Sequence, residues 1–245
     1  MSLPINIAIP QFEVKLHSIE KPLRCRPILV KENKILLMAK QSKNEKSVVD
    51  TMKLVLKACI LEPKDLDVDS LPTFDFILLY LRLRAKSKDE KVTLRFSTPN
   101  KDKCEVCKGG VEVDVNLADV QLQIDPSHSN KIQLTDDIWV LLDYPRVEKL
   151  EEINDTLVSG DSTAVVELVA SCVKSFYTQE ESININNDNR PEALELLENL
   201  TEAQFDKVLK FFETMPQLSH TVEIVCPACG YHESYKLETL ESFFT

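Results

Sequence analysis

The sequence predicts an α+β fold with a helical N-terminal segment, a small antiparallel sheet carrying zinc-ribbon-like knuckles, and an inserted acidic helical segment. Three observations carry this. Apolar residues recur at helical spacing from Ile35 to Leu83 and again from Val165 to Phe212. Alternating and β-branched runs fill positions 92–142 and return at 221–237. Two C-x-x-C pairs, Cys104/Cys107 and Cys226/Cys229, each stand between two such runs.

Taken in order, Phe12, Val14 and Leu16 alternate with Glu13 and Lys15, and a turn at Glu20-Lys21-Pro22 precedes Leu23 to Pro27, which predicts a hairpin. Ile35, Leu36 and Met38, then Val48, Met52, Val55, Leu56 and Cys59, predict two helices broken near Ser42 to Asn44 and closed by Pro63. Pro72-Thr73 starts a third helix with the stripe Phe76, Leu79, Tyr80 and Leu83. Its basic end, Arg82, Arg84, Lys86 and Lys88, reads first as cations complementing the helix dipole, and otherwise as a surface for an acidic partner.

Strands are expected at 92–96, 111–115, 131–134 and 138–142, together making a small antiparallel sheet. A helix from Asp161 to Tyr177 follows, with Val165, Leu168, Val169, Cys172 and Val173 on one face. Beyond the polar loop Asn184 to Asn189, Pro191 opens a helix, and Thr201 to Gln204 has capping-box spacing before Phe205, Val208, Leu209 and Phe212. The last two strands, 221–225 and 231–237, flank the second cysteine pair. The expected organisation is 1–91 as N-terminal hairpin plus helices, 92–145 with 218–245 as the zinc-ribbon-like β region, and 146–217 as the acidic helical insertion.

Composition narrows the function. The 245 residues include four glycines, where ordinary usage gives roughly 17. Gly109, Gly110, Gly160 and Gly230 permit no G-x-G-x-x-G turn, no G-x-x-x-x-G-K-[ST] loop and no G-x-S-x-G elbow. No run approaches a membrane span, and Met1 to Pro10 lacks the marks of a signal peptide, so a soluble intracellular chain is expected. Net charge is −11, divided into 24 basic against 22 acidic residues up to position 150 and 5 against 18 beyond it. Phosphate lattices are bound through clustered Lys and Arg, so this balance favours protein partners over nucleic acid.

Seven cysteines with two C-x-x-C pairs point to metal or redox use in a reducing compartment. A C-x-x-C turn supplies two thiolates, and zinc takes four in a tetrahedron. Glycine behind each pair suits the positive φ of such a turn. With 118 residues between Cys107 and Cys226, one structural Zn2+ on Cys104, Cys107, Cys226 and Cys229 ties the C-terminal strands to the middle of the chain. Three alternatives stay open: two half-sites completed by His128, His220 or His232, a redox pair, and metal-free thiols. Cys25, Cys59 and Cys172 fall on apolar faces and read as core residues. There is no H-E-x-x-H, no deaminase order and no Ser/His/Asp set, and Glu192, Glu195, Glu198 and Glu202 read as a solvated face, so no catalytic site is expected.

Several stretches together carry a family resemblance: Arg26-Pro27-Ile28-Leu29-Val30 continuing to Ala39, Leu71 to Asp75, Leu81 to Ser87, Gln204-Phe205, Phe211 to Pro216, Cys226 to Gly230, and Leu240 to Phe244. In this order they resemble the T4-type bacteriophage baseplate proteins, hub and hub-assembly components of contractile-tailed phages. The resemblance covers nearly the whole chain. It implies a late phage protein that builds the baseplate hub without catalysis, as an assembly chaperone in the host cytoplasm or as a component of the virion tail baseplate. The zinc-type pairs carry over onto Cys104, Cys107, Cys226 and Cys229. Expected partners are other baseplate hub proteins or a second copy of the chain, with no nucleic acid and no membrane. The acidic helical surface is the expected contact region, and the tail residues Phe243 and Phe244 read either as packing back on the zinc ribbon or as inserting into a partner; a zinc-ribbon nucleic-acid-binding protein and a thiol oxidoreductase are the competing readings.

Overall fold

A computed structural model describes residues 8–41, 45–87, 90–99, 104–149 and 162–237. It is α+β, with six helices and several small antiparallel sheets among the described residues. The helix break at Ser42 to Asn44, Lys88, Gly160 and the tail bearing Phe243 and Phe244 lie outside them. Two compact units emerge: Met1–Val68, Phe74–Gln123 and Gln217–Thr245 form the first, and Asp69–Thr73 with Ile124–Pro216 the second.

The first unit begins with the expected hairpin, β1 (Phe12–Val14) against β2 (Leu23–Cys25), registered Phe12 to Cys25 and Val14 to Leu23. Helices α1 (Val30–Gln41) and α2 (Glu45–Cys59) follow. The run expected to stay helical to Pro63 ends at Cys59, and Ile60–Glu62 becomes β3. The free edge of β2 decides this, since β3 pairs there and the Arg26 N–H donates to the Cys59 carbonyl at 2.9 Å.

Beside that junction, Arg26 grips Glu32 with both terminal nitrogens, at 2.7 and 2.9 Å, while the Glu32 carboxylate also accepts the Leu29 N–H at 2.8 Å. One buried carboxylate thus serves as salt-bridge partner and as cap at the start of α1.

Helix α3 (Thr73–Ser87) was expected to show one stripe, yet Phe74, Phe76, Ile77, Leu78, Leu79, Tyr80, Leu81 and Leu83 are all buried. A helix apolar all round belongs inside a core. Asp75, fully buried in its first turn, accepts the N–H groups of His17 at 2.9 Å and Ser18 at 2.7 Å, pinning the segment after β1. Arg82 does more than complement the helix dipole. Its guanidinium donates to the carbonyls of Leu117 (2.7 Å), Ala118 (3.1 Å) and Val120 (2.6 Å).

The expected strands form, but not one sheet. β4 (Lys91–Ser97) and β5 (Gly110–Asn116) make a two-stranded ribbon, in register from Lys91 opposite Asn116 to Ser97 opposite Gly110. β6 (Gln121–Gln123), unforeseen in the sequence, pairs with the start of β11 (Gln217–Cys226), whose other edge carries β12 (Tyr231–Leu237).

In the second unit β7 (Lys131–Gln133) and β8 (Trp139–Leu142) join β9 (Val173–Tyr177) and β10 (Ser182–Asn184) in the order β10-β9-β8-β7. The acidic segment therefore contributes strands as well as helices. α4 (Ser162–Cys172) stops five residues before Tyr177, because Val173 to Tyr177 offer β-branched and aromatic residues to the edge of β8. α5 (Arg190–Glu198) has Pro191 in its first turn, and α6 (Glu202–Thr214) starts where Gln204 Oε1 accepts the Thr201 N–H at 2.9 Å. These helices pack Leu197, Val208 and Phe211 against Val140, Leu142 and Phe176.

Candidate metal centre

The ribbon β4–β5 and the hairpin β11–β12 each end in a cysteine turn, and β5 runs beside β11. The two turns therefore meet. Cys104 and Cys226 have their sulfurs 3.9 Å apart, Cys107 and Cys229 theirs 4.0 Å apart, and all four sulfurs lie within 4.8 Å of one another. Cys104, Cys107 and Cys226 are buried and Cys229 is half-buried, with Val111 and Tyr231 packed around them.

These distances fit one ion rather than disulfides. A disulfide needs sulfurs about 2.05 Å apart, and all seven cysteines are free thiols. Zinc about 2.3 Å from each of four thiolates places them about 3.8 Å from one another, close to the spacing of these two pairs. Four sulfurs would fill a tetrahedral shell and leave no open position for substrate, so the chemistry available is structural.

Each knuckle is held by its own backbone. In the first, the Lys108 N–H donates to the Cys104 carbonyl at 3.0 Å and the Gly110 N–H to the Cys107 carbonyl at 2.8 Å. In the second, the Gly230 N–H donates to the Cys226 carbonyl at 3.0 Å. The residue after the second cysteine has positive φ in both: +44° at Lys108 and +70° at Gly230. Only the second knuckle thus has glycine at that position. In the first, lysine takes the left-handed conformation and Gly109, at φ +81°, follows it. At Gly110 an added Cβ would meet only the exposed Arg95 side chain, 2.8 Å from its Nε, which is free to swing aside.

The Cys107 thiol is brought down to about 6, first by the backbone N–H of Gly109 and then by the hydroxyl of Thr98, whose Oγ1 is 3.6 Å from the sulfur. A thiol that ionises readily is a ready metal ligand. Thr98, just past the end of β4, is a supporting residue that sequence spacing did not single out. Its signal is the register, because Ser97 opposite Gly110 puts the next residue against the cysteine turn.

The histidines do not complete half-sites. His128 uses its two ring nitrogens on Thr214 (3.0 Å) and Tyr144 (3.2 Å), and His232 faces Glu223 at 3.0 Å. His220 stands opposite Leu237, six residues along β11 from Cys226 and so about 20 Å away. Both C-x-x-C turns link strands, away from the helix N-terminus that activates redox thiols. Cys25, Cys59 and Cys172 are buried core residues, and burial pushes their thiols up to about 11, 12 and 11.

Baseplate hub assembly protein gp26 of Enterobacteria phage T4 is 26% identical over 234 residues, spanning 96% of this chain and 97% of that protein. No solved structure matches the chain. Residues 9–245 match the family described as T4 bacteriophage base plate protein. With both knuckles and all but the first eight residues inside that match, the chain belongs to the T4 bacteriophage base plate protein family.

Proposed function

We propose that this chain is a baseplate hub assembly protein that works through contacts with other hub proteins, without catalysis, and that Cys104, Cys107, Cys226 and Cys229 hold one structural Zn2+. The observation that carries the assembly role is the end-to-end likeness to the T4 hub assembly protein. The four-sulfur cluster supports the metal. In this reading the ion locks β4–β5 to β11–β12, so that residues more than a hundred positions apart form one rigid element before partners are engaged. The protein acts in the host cytoplasm during tail assembly, and a place in the finished tail baseplate is the second location consistent with the role.

The test is affinity purification from phage-infected cells compared with the protein content of finished particles. Recovery of hub proteins with the chain, and loss of hub assembly in infections lacking it, support the proposal. Normal hubs and infectious particles formed without the chain would overturn it.

A further inference from the structure

Helix α1 is turned inside out relative to an ordinary surface helix. It buries Glu32 and Ala39 and half-buries Leu36, a stripe at i, i+4 and i+7, while Val30, Ile35, Leu37 and Met38 are 88%, 51%, 54% and 61% exposed. Such clusters of exposed apolar side chains mark interaction surfaces. Lys31, Lys34 and Lys40 stand exposed among them, and the helix's one carboxylate, Glu32, is committed to Arg26. The open face is therefore apolar and positive.

The second unit contains a surface of opposite sign. Between the β7–β8 turn and helices α5 and α6 lies a groove of about 460 Å³. Leu134, Ile138, Leu196 and Leu200 line it, and the exposed carboxylates of Glu192 and Glu195 stand at its edge. Its volume is in the range of ordinary binding sites, about 300–1,000 Å³.

Self-association through either surface alone is disfavoured. Two α1 faces would set Lys31 and Lys34 against their counterparts, and two grooves would set Glu192 and Glu195 against theirs. Helix against groove matches apolar to apolar and lysine to glutamate. We propose that α1 of one copy docks in the α5–α6 groove of a second copy. The contact is heterologous, so each added copy leaves one helix and one groove open, and assemblies close into rings or grow as chains. This inference goes beyond the assembly role and stands or falls independently of it and of the metal.

The test is sedimentation velocity on the full chain from about 1 to about 200 μM, where associations of micromolar affinity become populated. The mass should rise with concentration past that of a monomer, and added salt should lower it. Two variants carry the specificity: Leu37→Asn with Met38→Asn, and Glu192→Lys with Glu195→Lys. All four positions are exposed, so both variants should keep the wild-type melting curve. Each alone should be monomeric, and an equimolar mixture should form dimers and nothing larger, because one intact helix meets one intact groove. A wild-type chain that stays monomeric over this range overturns the proposal, including the case where α1 occupies its own groove. So do variants that associate like wild type, or a mixture that stays monomeric.

Discussion

The sulfurs of Cys104 and Cys226, 122 positions apart in the chain, stand 3.9 Å from each other. Closing so long a loop costs conformational entropy, and the ladder between β6 and β11, with Leu122 opposite Leu218, already makes much of that closure, while no ladder links β4–β5 to the second knuckle directly. A shared ion is what would join them. The same relationship makes the knuckle backbones a place where small changes are informative.

Lys108 and Gly230 occupy equivalent places, and both have positive φ. A residue with a Cβ is strained there by about 1–2 kcal/mol. Gly230→Ala, with nothing within 4 Å of the added Cβ, should therefore destabilise by about 1 kcal/mol through backbone strain alone. Lys108→Gly should remove a similar strain and leave stability equal or slightly higher. Urea denaturation checks both; a loss in Lys108→Gly as large as in Gly230→Ala would refute the equivalence.

Asp75 has no exposed surface and accepts two backbone N–H groups, from His17 and Ser18. Hydrogen bonds to a charged group are worth about 1.5–3 kcal/mol each. Asp75→Ala should cost about 3 kcal/mol and strip amide-exchange protection from His17 and Ser18 first. Unchanged protection at those two amides would contradict the pinning role.

Glu32 ionises below its ordinary range, chiefly because Arg26 hydrogen-bonds its carboxylate. A carboxyl depressed in the folded state contributes stability that is full above its unfolded value, near 4.5, and that is lost as pH falls through the folded value. Glu32→Gln leaves the Arg26 guanidinium in a largely buried place without its charge partner, so it should cost about 3 kcal/mol at neutral pH. The variant's stability should also fall less steeply than wild type on acidification from pH 5 to about pH 3. Parallel pH profiles for the two proteins would show that this pair is not the group responsible.

Much of this was legible beforehand because the signals were local. The C-x-x-C turns, the alternating runs beside them, the Thr201 to Gln204 cap and the Pro191 helix start each depend on a few neighbouring residues. What escaped depends on partners far along the chain. Ile60–Glu62 and Val173–Tyr177 continue apolar runs that periodicity assigns to the preceding helices, yet the open edges of β2 and β8 turn them into strands. Strands 131–133 and 139–142 look no different from 92–96 and 111–115, and only pairing with β9 separates the sheets. At the site, spacing identified the four cysteines but placed the positive φ on glycine in both knuckles. Lys108 takes it in the first, held by its N–H bond to the Cys104 carbonyl.

The most direct test of a shared metal centre is the zinc content of the purified chain, by elemental analysis, alongside Cys104→Ser and Cys226→Ser. One ion per chain is expected, falling to near zero in either variant, with chelation lowering the melting temperature by about 10 °C on the scale of about 2–4 °C per kcal/mol for a chain of this size. A folded chain without zinc whose melting is indifferent to chelator would contradict the account. So would two ions per chain of which Cys226→Ser removes only one.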